Sequence, residues 1–248
     1  CYAAIDDKSK GAMGYDVVYT APKNEAFYRN AGKSCFTREY GDCVDDWNSH
    51  NSYSRVAREW GEEPQIRQAQ HYARKDYGGS LDQFYKSPRG HIGGALWHSF
   101  DHQRGYHPDP FWGGLMDMFR QPKYSYYMMM SQRDPHLHLE QADSGPMVYI
   151  ANAMTPFSPE DIVVYTNCDS VRVIVNEKDT LVQVPLLEEK GIRHPPVVLS
   201  VLIALWMSGH FIGPGNRNNV VLWLRDSWMA RLLLGPRICL PNVMNSLY

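Results

Sequence analysis

Two polar clusters hold the residues best able to do chemistry: Arg38-Glu39-Tyr40, and Trp97-His98-Ser99-Phe100-Asp101-His102. A carboxylate that ends a buried strand, with a cation and a hydroxyl beside it, can be kept ionised by those neighbours. Glu39 between Arg38 and Tyr40 has that setting, which a nucleophile needs. The same residues equally make a structural Arg–Glu ion pair. Trp97 offers an aromatic floor for a sugar ring, and Asp101 a carboxylate to accept from its hydroxyls. A Trp in this place can also simply close a core. His98, His102 and His107 invite a metal reading, because the first two are spaced for one face of a helix. They follow a Gly-Gly-Ala-Leu-Trp run into a Pro-rich loop, so helical spacing is the wrong template and no metal is expected. Asp45-Asp46-Trp47-Asn48 and His50-Asn51 follow Glu39, where they line a pocket rim or cap the next helix. His136 and His138 fall in a polar stretch and read as solvated. Walker, GxGxxG and GxSxG motifs are absent, and no cofactor is expected.

The first cluster must be carried by strands. Cys1–Ile5 and Tyr15–Thr20 are short apolar runs bounded by Asp, Lys, Gly and Pro, as strands buried on both faces read. Ser34–Arg38 continues the series. Between Ser54 and Tyr77, Val56, Trp60, Ile66, Ala69 and Ala73 recur at helical intervals, with Gly78-Gly79 as a stop. Gly94–Phe100 is the next strand, and Pro122–Met130, with Pro in its first turn, reads as a closing helix. Strands alternating with helices predict an α/β architecture in which each cluster ends a parallel strand. The carboxyl ends of such strands are where (β/α)8 barrels keep their active sites.

A polar stretch from Asp134-Pro135 to Ser144-Gly145-Pro146 resembles an interdomain linker. Beyond it, Met147–Ile150, Asp161–Thr166 and Ser170–Val175 are rich in Val, Ile and Tyr, and Asn167-Cys168-Asp169 suits a hairpin turn between the last two. That spacing fits the start of an immunoglobulin-like sandwich. From Leu199 the pattern changes to Leu199–Met207 and then Gly213-Pro-Gly-Asn-Arg-Asn-Asn219, without strand alternation. The apolar run is shorter than the roughly 20 residues that span a bilayer. The tail reads as frame-shifted or foreign: the codons for Gly213–Asn216, one base out of phase, permit Trp-Thr-Arg-Gln.

The whole chain has 248 residues, 44% of them hydrophobic, and a net charge of −2. With a mean hydropathy of −0.45 it has the composition of an ordered globular protein. Nearly balanced charge leaves no electrostatic footprint for nucleic acid or an anionic membrane, so a neutral partner is expected. Aromatic residues make up 12%, which suits stacking on sugar faces and suits a large core equally well. Five scattered cysteines signal neither a disulfide framework nor a zinc ribbon. The chain starts at Cys1 inside an apolar run, which reads as a cut terminus and leaves secretion open.

In order, Arg38-Glu39-Tyr40-Gly41-Asp42, Gly94-Ala-Leu-Trp-His-Ser-Phe-Asp101, Gly113–Tyr124 and Ser131-Gln-Arg133 resemble glycoside hydrolase family 2, the β-galactosidase and β-glucuronidase group. The resemblance covers residues 1–198 and is strongest to β-galactosidases of gut and marine Bacteroidota. It implies α/β plus all-β: the C-terminal half of a (β/α)8 TIM barrel over 1–133, a linker over 134–146, and a partial immunoglobulin-like sandwich over 147–198, with 199–248 as the atypical tail. By motif match Glu39 is the seventh-strand nucleophile of a retaining mechanism and Trp97 lines the sugar site, with Arg38, Tyr40, His98 and Asp101 beside the substrate. The family's acid/base Glu ends the fourth strand, after an Asn. Asn24-Glu25 imitates that dipeptide but follows the strand assigned as sixth, so the acid/base is expected outside this chain. The sixth-strand Tyr of the family has no clear match near Tyr19–Pro22. A full-length parent would be a periplasmic or secreted enzyme, open to homo-oligomerisation, that cleaves terminal β-galactosides through a covalent glycosyl-enzyme. This chain alone would be inactive or nearly so.

Two other readings compete. In a non-catalytic carbohydrate-binding protein, Trp97 and the tyrosines grip a glycan and Glu39 only accepts hydrogen bonds. In a metal-dependent hydrolase, His98, His102 and His107 form the centre.

Overall fold

The computed structural model describes residues 16–19, 34–40, 54–73, 81, 90–103, 105, 108–153, 155, 157–175, 179–183 and 192–200. The chain divides into two compact units, Cys1–Tyr126 with Glu188–Arg193, and Tyr127–Leu187 with His194–Tyr248.

The first unit holds a parallel sheet in the order β1 (Val17–Tyr19), β2 (Ser34–Tyr40) and β3 (His91–Leu96). Parallel strands need a crossover between them, and α1 (Glu62–Tyr72) lies between β2 and β3 in the chain. The expected strand at Cys1–Ile5 lies outside the described residues. β2 runs two residues beyond the expected Arg38, so Glu39 and Tyr40 are its last residues. β3 starts and ends earlier than the expected Gly94–Phe100. Past Trp97 the backbone turns to a new partner: Met116 N donates to Ser99 O (3.0 Å), and Asp101 N donates to Met116 O (2.9 Å).

α1 begins later than its apolar spacing suggests. Val56 is committed elsewhere, donating through its N–H to Trp112 O at 3.0 Å, and a 3-10 turn over Arg58–Trp60 precedes the helix. Gly61, at φ 101°, makes the entry a side chain would resist. Glu62 and Glu63 then favour the positive end of the helix dipole. The buried face carries Gln65, Ile66, Gln68, Ala69 and Tyr72, a stripe at helical spacing that is half polar. Its polar members are all bonded. Gln65 Nε2 donates to Arg58 O and Gly61 O (3.1 and 3.0 Å). Gln68 Nε2 donates to Trp112 O (3.1 Å) while its Oε1 accepts from Ser125 Oγ (2.8 Å). Tyr72 donates to Gly113 O (3.0 Å). Burial without such partners would cost roughly 1–3 kcal/mol for each group. The closing helix α2 spans Tyr124–Met130, and the division between the units falls within it.

The second unit is antiparallel. β4 (Val148–Ala151), β5 (Asp161–Thr166) and β8 (Val197–Ser200) form one sheet in that order, with β5 central; β6 (Val171–Val175) and β7 (Asp179–Gln183) form a separate ribbon. Ile162, Val164, Val197 and Leu199 share one sheet face with Ile150 and pack with Val171. On the other face Tyr165 pairs with Tyr149, whose ring stacks on Tyr127 at 3.5 Å. Since β5 is covered on both faces, it reads as an unbroken Ile-Val-Val-Tyr run.

Two expectations are corrected here. Asn167-Cys168-Asp169 is no hairpin turn, because β5 pairs with β4 and β8 while β6 pairs with β7. The buried Asn167 side chain is used instead to gather loops: it accepts from Met147 N (2.8 Å) and donates to Gly145 O and Arg133 O (3.0 and 3.3 Å). Nor does the sheet stop before Leu199, for β8 runs to Ser200 and Leu199 is buried in the core. Residues 201–248 lie outside the described residues.

Candidate active site

The parallel register brings the two polar clusters to one sheet edge. Tyr40 is opposite Leu96, and Trp97 N donates to Tyr40 O at 2.7 Å, one residue past the end of β3. Glu39 and Trp97 therefore leave neighbouring strands at their carboxyl ends. The side chains of Arg38 and Glu39, and all of His107, Asn24-Glu25 and the Asp45–Asn51 segment, lie outside the described residues.

After Trp97 the chain folds into an aromatic cluster. The Trp97 ring meets His98 at 5.5 Å and His102 at 5.9 Å between centroids, the two imidazoles stand 4.6 Å apart, and His102 stacks on Phe111 at 5.9 Å. The Arg55 guanidinium lies over the Phe111 ring, 4.6 Å from its centroid. His98 and His102 both direct Nδ1 at the Phe100 carbonyl, at 2.8 and 3.2 Å. A carbonyl only accepts, so each Nδ1 carries a proton. His98 is 5% exposed, and its Nε2 has no hydrogen-bond partner among the described residues. Burial, with the nearby His102, Arg55 and Lys123 charges, pushes its pKa down to about 3 despite the Phe100 hydrogen bond. It is a neutral imidazole.

Asp101 is held differently from the expectation of a sugar contact. Its Oδ1 accepts from Lys123 Nζ at 2.7 Å and from Gly114 N at 2.9 Å. Burial raises the Asp101 carboxyl to about 6 against the pull of those donors, and burial likewise lowers Lys123 from its ordinary value against the pull of Asp101. Lys123 completes its shell on Val56 O (2.6 Å) and Trp112 O (3.2 Å). Three donors meet three acceptors, which is the complete hydrogen-bond capacity of an ammonium. The pair fixes the loop after Trp97 from behind.

Lys123, Arg55 and Phe111 had no role in the sequence reading. Lys123 did carry a signal, since a lone cation among the apolar and aromatic residues after Pro122 needs a buried acceptor, but Asp109 and Asp117 lie nearer to it in the chain than Asp101 does. Arg55 and Phe111 carried none, because their partnership depends on two loops meeting. In chemical terms the edge offers a strand-end Glu, an indole and a neutral imidazole on a rigid support.

No protein-family model matches the chain. Over 118 residues, 44% of its length, it is 30% identical to a β-galactosidase of Thermoanaerobacter pseudethanolicus, of which it spans 15%. The resemblance to glycoside hydrolase family 2 carried by its motifs agrees with this. Two solved structures are also similar. A β-glucuronidase from glycoside hydrolase family 2 is 20% identical with a TM-score of 0.39, over 68% of this chain and 17% of its own. The Bacteroides uniformis β-glucuronidase 2 is 16% identical with a TM-score of 0.44, over 77% of this chain and 23% of its own. Likenesses at that level have no functional weight.

Proposed function

We propose that this chain, which resembles glycoside hydrolase family 2, carries the nucleophile side of a retaining glycosidase acting on terminal β-galactosides. The observation that supports the reading is the 2.7 Å bond from Trp97 N to Tyr40 O, with the parallel register behind it. It puts the backbone of Glu39 and Trp97 at adjacent strand ends, the edge where parallel α/β barrels react their substrates. In this reading β1–β3 belong to the C-terminal half of a (β/α)8 barrel, and β4–β8 to the start of an immunoglobulin-like sandwich.

The reaction takes two carboxyl groups about 5 Å apart. The Glu39 carboxylate attacks the anomeric carbon as the bond to the leaving oxygen breaks, and the second carboxyl group gives that oxygen its proton. Water, deprotonated by the same second group, then releases the sugar from Glu39. We assign the second group to the part of the relative's length that this chain does not span. Trp97 is the floor under the sugar ring, with Arg38, Tyr40 and His98 around it. Asp101 is a positioning residue, acting through the loop that it ties to Lys123.

The test needs no acid catalyst. A 2,4-dinitrophenyl 2-deoxy-2-fluoro-β-galactoside has a leaving group that departs unprotonated, so a lone nucleophile can still be trapped. Intact mass should rise by one fluorosugar, peptide mapping should place it on Glu39, and Glu39→Gln should stay unlabelled. Saturating reagent with no adduct sinks the proposal. Sugar binding without an adduct would favour a carbohydrate-binding protein.

A further inference from the structure

Trp60 and Trp112 stand 4.7 Å apart between ring centroids with their planes at 69°, forming a corner of two indoles. Trp60 is 48% exposed although it is a large aromatic residue. It ends the 3-10 turn before α1, beside Arg58 and Glu59, which are exposed too. An indole face bordered by charged hydrogen-bonding groups is the composition of a site that takes a sugar: the ring stacks and the hydroxyls find partners.

This corner is tied to the candidate active site in two ways. Ring contacts lead outward from Trp97 to His102 (5.9 Å) and on to Phe111 (5.9 Å), and Phe111 is followed in the chain by Trp112. The backbone tie is Lys123, whose ammonium bonds both Asp101, of the loop after Trp97, and the carbonyl of Trp112. The backbone at Trp112 is thereby tied to the loop after Trp97 through a buried ion pair. A fixed spacing between two aromatic platforms is what a chain of linked sugars requires and a single sugar does not.

We propose that Trp60 and Trp112 form an outer subsite for a second or third sugar of an oligosaccharide whose terminal residue sits over Trp97. The inference rests on the glycosidase reading for that terminal residue. The subsite itself takes a neutral pyranose, and it makes linked galactosides better ligands than galactose.

Calorimetric titration of the whole chain with β-1,4-galactotriose and with galactose tests this. The trisaccharide should bind about tenfold more tightly, the gain of one good aromatic stack. Trp60→Ala should erase that advantage while leaving galactose affinity and the rate of Glu39 labelling unchanged, and Trp60→Phe should keep most of it. Equal affinity for the two sugars, or an advantage that survives Trp60→Ala, overturns the subsite. If the advantage depends on Trp60 but Glu39 is never labelled, the subsite stands and the glycosidase reading fails.

Discussion

Lys123 Nζ lies 2.7 Å from Asp101 Oδ1, and the two side chains are 0% and 3% exposed. Removing one member of such a pair strands the other charge in a poor solvent, a loss of about 3–5 kcal/mol. Lys123→Met should therefore destabilise the first unit by about that amount in urea unfolding at neutral pH. Combining it with Asp101→Asn should recover a large part, since no buried charge is then left over. Equal stability of the two variants would show that packing, and not the ion pair, holds this loop.

His98 predicts a pH dependence. Its folded pKa of about 3 is below the ordinary 6.5, so the unfolded chain binds a proton that the folded one refuses. The stability it contributes is complete above 6.5 and is lost as pH falls toward 3. Asp101 acts in the opposite direction: its pKa is raised from 3.8 to about 6, so it favours the fold below 3.8 and that contribution is lost as pH rises through 6. The two partly cancel in between, and the difference between the wild type and His98→Gln isolates the histidine. Measured by urea unfolding at a series of pH values, that difference should shrink by roughly 4 kcal/mol from neutral pH to the acid end of the range. A difference independent of pH would mean that His98 takes up its proton in the fold as readily as in the unfolded chain.

Adjacent glycines should respond unequally. A methyl group on Gly114 would overlap backbone, including Met116 O at 2.5 Å, whereas on Gly113 it would meet the His98 imidazole at 2.7 Å. Side chains can turn aside and backbone pinned by hydrogen bonds cannot. Gly114→Ala should cost about 3 kcal/mol or more and Gly113→Ala about 1 kcal/mol in thermal melts, with the order reversed if the loop after Trp97 is loose.

The sequence revealed strands more readily than their partners. β5 was read with its exact bounds because a central strand, covered on both faces, is a plain apolar run with a polar residue at each end. The end of β3 was misjudged because Ser99 and Phe100 look equally strand-like, and only their pairing with Met116 takes them out of the sheet. The Asn167 turn was misread for a similar reason: turn residues announce a change of direction, while the choice between returning to β5 and starting another sheet depends on distant strands. At the candidate site, the strand-end positions of Glu39 and Trp97 are legible in the sequence. Asp101 reads from sequence as a sugar contact and is found bonded to Lys123 instead, for nothing local to Asp101 says which cation reaches it.

The ammonium of Lys123 collects acceptors 67, 22 and 11 residues away in the chain. The full set of its bonds cannot form until the segment at Val56, the loop after β3 and the chain at Trp112 have all been brought together, with the loop-closure entropy that entails. Such a contact belongs to the late side of the folding barrier. It adds little to the speed of assembly, and its stabilisation is felt as slower unfolding, so this buried cation acts as a latch on the finished candidate site.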